Sequence, residues 1–442
     1  MNSMNMNHAI PSYLQHALPH GRLPESLPGM GEVWLDRQRE EALERFLKTG
    51  LPGPNVEEWR TTNLHPVEKN IFDTTRNSAF DGKLPQLVAQ PALRIVFVDG
   101  HMREDLLQGQ KIPKGVHISS LRARLNNKDK ALRYAFPERP GQDSWHDLNL
   151  ALFADGLALE VDAGVKLTAP IEIILTGRAH EHPTTRHLRH LIQVSEGAGL
   201  QLVEYDYTSG KNSGGFSTVH ATLLIEKNAR LSRIGARVAD TADFTLSHDQ
   251  VSVQENGRYR HLLLNLPGRI ARQKIEILLE ETGANAELAG VTFTGGMAHG
   301  DLLTDIRHNA PATTSNQAFR TMAGGQSRAV FQGKVTVAPN AAKTDANQSH
   351  HGILLSDTAE IDAKPGLEIY ADDVKCSHGA SCGAVDEGAL FYLQSRGIPK
   401  AEAEAMLFDA FTAEILDKVE DENLRMSLSG ILRARMKEGA PC

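Results

Sequence analysis

The stretch EGAGLQLVEYDYT, residues 196–208, has the pattern that decides the fold: a turn of small residues followed by a short β-rich run. Three similar turns follow it, at KNARL (227–231), NGRY (256–259) and GANA (283–286). Intervals of 31, 28 and 27 residues separate the small residues within these turns, which are Ala198, Ala229, Gly257 and Ala284. Such near-regular spacing is typical of a β-solenoid, in which each turn of the chain packs on the next.

Short β-rich runs surround these turns, each bounded by Gly, Asn or Asp. They comprise residues 94–100, 157–165, 170–177, 190–194, 200–208, 219–226, 250–254, 274–281 and 291–296. A further turn of the same kind, DTAEI, comes at 357–361. Because no helix-length apolar period separates the runs, a doubly wound α/β fold is disfavoured. The alternative to a solenoid is an irregular β-sandwich with recurring turns.

The sequence patterns at the two ends of the chain differ from the β-rich runs between them. Residues 1–30 contain four prolines and predict a loosely ordered tail, whereas 33–50 have one apolar helical face that ends at Gly50. Residues 388–439 predict helices with two apolar stripes. The stripes are formed by Leu407, Phe408, Phe411, Ile415 and Val419, then by Leu424, Leu428, Ile431, Leu432 and Arg435. We therefore predict an N-terminal tail and helical region (1–85), a β core (86–384) and a C-terminal helical domain (385–442).

The composition excludes several classes of protein. The 442 residues include 47 Lys and Arg against 55 Asp and Glu, a net charge of −8 that argues against nucleic acid as the main partner. No run of about 18 apolar residues predicts a membrane span, and the N-terminus lacks the pattern of a secretory signal. Three cysteines do not build a disulfide framework, so we expect a protein of the reducing cytoplasm.

Several catalytic motifs are missing from the sequence. There is no G-x-x-x-x-G-K-[ST], so we predict no ATP site in this chain. The patterns G-x-G-x-x-G, G-x-S-x-G, H-E-x-x-H and C-x-x-C are absent too, and no paired carboxylates can be argued from spacing. The motifs therefore give no candidate catalytic residue.

One segment, DDVKCSHGASCG (372–383), contains three groups that can bind a soft metal: Cys376, His378 and Cys382. In an extended strand, residues two apart project from the same face, so Cys376 and His378 would lie side by side. A thiolate and an imidazole suit iron or zinc but leave the coordination incomplete. Either a second chain supplies the rest or occupancy is transient. The alternative is a buried cysteine near a hydrogen-bonded histidine.

The pair His350 and His351 is a second candidate. Adjacent residues on a strand face opposite ways, so the two imidazoles are not expected to bind one metal together. We interpret the pair as a surface turn.

A resemblance to a known family rests on the C-terminal motifs. The block LEIYADDVKCSHGA (367–380), followed by DE (386–387) and LFYLQSRGI (390–398), closely resembles the SufB/SufD family of iron–sulfur cluster assembly scaffolds. Further support comes from three shorter segments: EEWRTTNL (57–64), FQGKV (331–335) and AKTDANQ (342–348). The similarity runs from about residue 50 to 435. The C-x-H-G-A version and the Glu-Glu-Trp segment look like the SufD branch.

The resemblance implies a mainly β fold, a right-handed parallel β-helix between N-terminal and C-terminal α-helical parts. It also implies a non-enzymatic scaffold that pairs with a SufB paralogue along the β-helix. One copy of the ABC-type ATPase SufC would bind through the C-terminal helices, which accounts for the missing ATP motif.

For the site, the resemblance implies that His378, with Cys376 as its neighbour, lies at the SufB interface and contributes to a transient iron–sulfur cluster shared with SufB. Cys382 and the histidine pair at 350–351 depart from the family pattern. The sequence leaves open the cluster type, flavin binding, the roles of Cys382 and Cys442, and homodimerisation of the isolated chain.

Two other functions remain as alternatives. One is a carbohydrate-active enzyme on a β-helix, which the missing secretion signal and missing carboxylate cluster disfavour. The other is a stand-alone zinc protein that uses Cys376, His378 and Cys382.

Overall fold

Two long sheets form the body of the protein in the computed structural model, which describes residues 10–76, 80, 83–135, 143–178, 180–208, 214–239 and 242–439. The first sheet contains β4 (Val116–Ser120), β5 (Leu157–Val161), β7 (Thr184–Val194), β9 (Phe216–Ile225), β11 (Phe244–Val253), β13 (Ile270–Leu279), β15 (His299–His308), β17 (Arg328–Val337) and β19 (Glu360–Ile369), with β1 (Asp73–Thr74) beside β7. The second contains β2 (Leu93–Val98), β3 (His101–Met102), β6 (Ile171–Gly177), β8 (Gly199–Thr208), β10 (Arg230–Val238), β12 (Arg258–Leu266), β14 (Asn285–Thr294), β16 (Thr314–Ala323), β18 (Asp345–Leu354) and β20 (Lys375–Ala384).

The chain alternates between the two sheets from β5 onwards, so that each strand pairs in parallel with the strand one turn later. Among the described strands, only the pairs β2–β3 and β4–β5 are antiparallel. This arrangement is a β-helix of about seven turns, and it confirms the predicted mainly β solenoid. The sandwich alternative is wrong, because sandwiches are built from antiparallel sheets.

The repeat seen in the sequence corresponds to the turns of the helix. Gly199, Arg230, Arg258 and Asn285 occupy one register position on successive strands of the second sheet. The small residue just before each of them therefore stacks on the equivalent residue of the next turn. The later turn at 357–361 has a different place, since Glu360 pairs with Arg328 in the first sheet.

Nine helices lie in the described part of the chain, outside the two sheets. They are α1 (Val33–Thr49), α2 (His65–Glu68), α3 (Glu104–Leu107), α4 (Leu121–Asn126), α5 (Leu132–Ala135), α6 (Ser144–Leu152), α7 (Glu387–Ser395), α8 (Lys400–Leu416) and α9 (Glu422–Gly439). Short 3-10 turns occur at Ser12–Leu14, Pro19–Gly21 and Glu57–Trp59. The helices α3 to α6 fall inside the interval predicted as β core. No described helix combines the length and the hydrophobicity that spanning a bilayer requires.

The N-terminal region packs on the outer face of the first sheet. Helices α1 and α6 contact each other, and one apolar cluster joins Phe46 and Trp145 to Phe216 and Phe244. Tyr13 belongs to the same cluster and is buried, so residues 10–30 are not the loose tail that their prolines suggested. Apolar burial outweighs local composition here. Residues 1–9 and Cys442 lie outside the described residues.

The C-terminal helices pack on the outer face of the second sheet. Ile415 and Leu428 are fully buried there in one cluster with Leu264 and Val291 of β12 and β14. The predicted apolar stripes thus cover the flank of the β-helix. Consequently, the last turn of the β-helix is left open, and every residue of β20 except Cys376 is exposed.

Candidate functional site

The predicted metal-binding motif lies on β20, the last strand of the second sheet. Cys376 and His378 are two residues apart on this strand, as the period-two pattern predicts. They pair in register with Ala346 and Gln348 of β18, both buried in the interior of the β-helix. The two side chains therefore belong to the face that continues the interior. The next turn is missing, so this face is open to solvent.

The two ligand candidates differ in burial. Cys376 packs at the edge of a small apolar cluster with Val337 and Ala346. His378 is exposed. Burial raises the pKa of the Cys376 thiol above its ordinary value. The thiol is thus protonated at neutral pH, and a metal that binds it must displace the proton.

A polar column continues below His378 into the β-helix. Gln348 lies directly beneath it, is buried, and has no hydrogen-bond partner for either amide atom among the described residues. One turn further in, the Gln317 side-chain oxygen accepts a hydrogen bond of 2.7 Å from Thr304. Gly333 leaves room for Gln348, because a Cβ at position 333 would lie 1.5 Å from its Nε2 atom. The Gln348 amide is therefore a buried polar group that packs against the backbone of Gly333, one turn below His378.

Cys382 does not join the other two residues at one metal. It lies six residues beyond Cys376 on the same strand, about 20 Å away at the rise of an extended chain. The sulfur of Cys382 is instead 3.5 Å from the place where a Cβ on Gly352 would lie. The zinc site predicted from Cys376, His378 and Cys382 is therefore wrong for this chain.

His350 and His351 lie within β18, so the interpretation as a surface turn is also wrong. The expectation that they face opposite ways is confirmed. His350 points inward, stacks on Phe331 at 4.8 Å and contacts the Thr321 hydroxyl at 2.9 Å. His351 points outward and contacts the Ser381 hydroxyl at 2.6 Å. The two histidines thus connect β18 to β16 through Thr321 and to β20 through Ser381.

Sequence reasoning missed one group of ligand-capable residues in the described part of the chain. His146, His220 and His248 each place a ring nitrogen within 4.8 Å of the others. The one available signal was the 28-residue interval between His220 and His248, which is one turn of the β-helix. His146 is on a helix, so no spacing relates it to the other two.

The fold and this strand define a class of protein: a parallel β-helix with a thiol and an imidazole side by side at its open end. Comparison with protein families agrees with this class. The model described as "SUF system FeS cluster assembly, SufBD core domain" matches residues 175–411, and the SufBD N-terminal region matches residues 30–173. The chain therefore belongs to the SufBD family of iron–sulfur cluster assembly proteins.

Individual relatives extend over almost the whole chain. The iron–sulfur cluster assembly protein SufD of Escherichia coli is 29% identical, over 91% of this chain and 93% of that protein. SufD of Bacillus subtilis is 24% identical, over 92% and 94% of the two chains. An iron–sulfur cluster assembly SufBD family protein of Synechocystis is 26% identical, over 88% and 89%. The chain is SufD-like, as the resemblance implied.

Proposed function

We propose that this chain is the SufD-like scaffold subunit of a SufB–SufC–SufD complex, and that a nascent iron–sulfur cluster is assembled as cargo at its open end. The observation that supports this most is the exposed strand β20 with Cys376 and His378 on the interior face. One thiolate and one imidazole cannot complete an iron–sulfur cluster, which needs about four protein ligands. The SufB paralogue supplies the remaining ligands.

The free edge of β20 is suited to pairing with that paralogue. The N–H of Lys375 bonds to the carbonyl of Thr344, the residue just before β18. In this parallel ladder the N–H groups of the even-numbered residues of β20 therefore point to the free edge. On β19 the N–H of Glu360 bonds to Ser327, which places the ring nitrogen of Pro365 on the free edge of that strand. A proline there removes a donor and discourages pairing, whereas β20 contains none. When SufB is absent, a second copy of the chain pairs with the same free edge of β20.

Helix α7 is suited to binding the ATPase. Asp386 caps it by accepting the Ala389 N–H at 3.0 Å, and none of its residues is buried. Phe391 and Tyr392 are 72% and 56% exposed. Exposed neighbouring aromatic side chains on a helix are typical of protein interfaces. Since α7 directly follows β20, ATP-driven movement of SufC would reach the strand that contains Cys376 and His378.

Replacement of His378 tests the ligand role. His378→Ala removes the imidazole from an exposed position, so the SufB–SufC–SufD complex should still form. We expect maturation of a reporter iron–sulfur protein in cells to fall about 10-fold or more. The neighbouring variant Ser377→Ala, whose hydroxyl bonds to Asn347 on the opposite face, is the control and should retain activity. Unchanged maturation with His378→Ala would exclude the ligand role.

Two matched variants test the partner surfaces by co-purification. Ala380→Pro removes an N–H on the free edge of β20 and should abolish recovery of SufB while SufC is retained. Phe391→Glu places a charge on the exposed face of α7 and should abolish recovery of SufC while SufB is retained. Each variant thus controls for the folding of the other, and Ala380→Val, which keeps the N–H, should behave as the parent. Recovery of both partners with both variants would contradict these assignments.

Two further sequence predictions concern the localisation of the protein and an alternative function. Cytoplasmic localisation stays a prediction. No observation in the described residues favours the carbohydrate-active alternative.

A further inference from the structure

A cluster of three buried histidines lies far from β20 in sequence, between α6 and the outer face of the first sheet. His220 on β9 and His248 on β11 are register partners one turn apart. His146 on α6 covers them, and its ring is stacked on Trp145. All three histidines are more than nine-tenths buried.

The two closest ring nitrogens of the cluster are in direct contact. The Nε2 atom of His146 and the Nδ1 atom of His248 are 2.6 Å apart and share one hydrogen bond. An imidazole nitrogen binds a metal in its unprotonated form. An ion bound here would therefore replace the proton that the two rings share.

Groups around the cluster orient two of the rings. The other nitrogen of His248, Nε2, lies 3.4 Å from the Glu276 carboxylate. The other nitrogen of His146, Nδ1, contacts the backbone carbonyl of Asp143 at 3.2 Å. Histidine ligands of metals characteristically have a carboxylate or a backbone carbonyl beside their second ring nitrogen. The arrangement directs Nδ1 of His248 and Nε2 of His146 toward each other.

We propose that His146, His220 and His248 bind one divalent transition metal ion of the zinc class. Tetrahedral coordination at about 2.0 Å places two ligand nitrogens about 3.3 Å apart, so the closest pair must open by less than 1 Å. The positive charge of the nearby Lys274 ammonium would repel the ion. The Glu58 carboxylate, to which this ammonium donates a hydrogen bond of 3.2 Å, offsets that charge. The fourth position is left to water.

The ion would connect α6 to two strands of the first sheet. It would therefore fasten the N-terminal region to the β-helix, in addition to the apolar contacts of Trp145 and Phe216. This role is independent of the proposed cluster assembly, because none of the three histidines lies on β20.

Cobalt provides a direct test. The full untagged chain is produced in minimal medium in which Co²⁺ is the added transition metal, and the metal content and the visible spectrum of the purified protein are measured. We expect about one Co²⁺ per chain with the intense visible bands of tetrahedral cobalt. His220→Asn and His248→Asn should lower the bound cobalt about 10-fold or more, and Glu276→Gln should lower it less.

Two control variants make the result specific. His187→Asn alters another buried histidine, which contacts Thr185 and Thr218, and should keep the cobalt. His378→Ala should keep it too, which separates this site from the one on β20. Folding of every variant is checked by circular dichroism. A parent chain with less than about one tenth of an equivalent of cobalt, or variants of the three histidines that bind as much as the parent, would overturn the proposal.

Discussion

Acidification from pH 7.5 to 5.5 should lower the free energy of unfolding by at least about 5 kcal/mol. Four histidines supply this amount, because burial lowers their pKa, and other buried histidines such as His261 add to it. The values are about 3 for His187 and about 4 for His190, His308 and His350. In the unfolded chain the same side chains have pKa values near 6.5.

The sign follows from proton binding. Between pH 6.5 and about 4 the unfolded chain binds protons at these histidines and the folded chain does not, so stability falls as the pH falls. Each histidine contributes about 1.4 kcal/mol per pH unit once the pH is below 6.5. Carboxylates add little in this range, since they titrate lower; Glu276, for example, has a pKa of about 2 because of its hydrogen bond to His248.

Urea denaturation at the two pH values measures the effect, with the slope of each transition checked for constancy. His308→Asn should reduce the pH-dependent part by about 1.4 kcal/mol, because one titrating group is removed. The wild-type ring contacts the hydroxyls of Thr313 and Ser315, which can bond to an asparagine amide as well. Equal urea midpoints at pH 7.5 and 5.5 would show that these histidines are not kept neutral by burial.

Replacement of Arg233 by methionine should destabilise the protein by about 3–5 kcal/mol. Arg233 lies inside the β-helix and is 8% exposed. Its guanidinium donates two hydrogen bonds of 2.7 Å to Glu204 in the same sheet and one of 2.8 Å to Asp249 in the other. Burial alone would lower the pKa of Arg233, but the carboxylates of Asp249 and Glu204 raise it well above its ordinary value.

The expected cost comes from the carboxylates that remain. Without the guanidinium, the partly buried Glu204 and the buried Asp249 are two neighbouring groups of like charge that have lost the cation between them. The triple variant Arg233→Met, Glu204→Gln, Asp249→Asn removes all three charges and should recover most of the loss. Urea midpoints at pH 7.5 compare the three proteins. A single variant within about 1 kcal/mol of the parent would mean that the network does not connect the two sheets energetically.

Sequence patterns predicted the elements whose apolar residues are regularly spaced. The helix over 33–50 was predicted because Leu35, Ala42, Leu43 and Phe46 recur on one face, and all four are buried. The apolar strands were predicted for the same reason. Strands such as β18, with the sequence DANQSHHGIL, were missed because polar side chains occupy interior positions. A β-helix tolerates many of them because neighbouring strands supply partners, as Thr321 does for His350 and Thr304 does for Gln317 of β16.

Local sequence patterns suffice to predict the stacked turns and the shared face of Cys376 and His378. Both follow from local rules: small residues recur at turns, and side chains alternate along a strand. Only the tertiary structure decided that β20 is the open last strand, that Gln348 lies beneath His378, and that His146 meets His220 and His248. The contact of Gln348 with His378 and the contacts among the three histidines join residues a full turn or more apart in the chain. They depend on the length of every intervening turn and on the packing of the N-terminal and C-terminal helices, which no local pattern encodes.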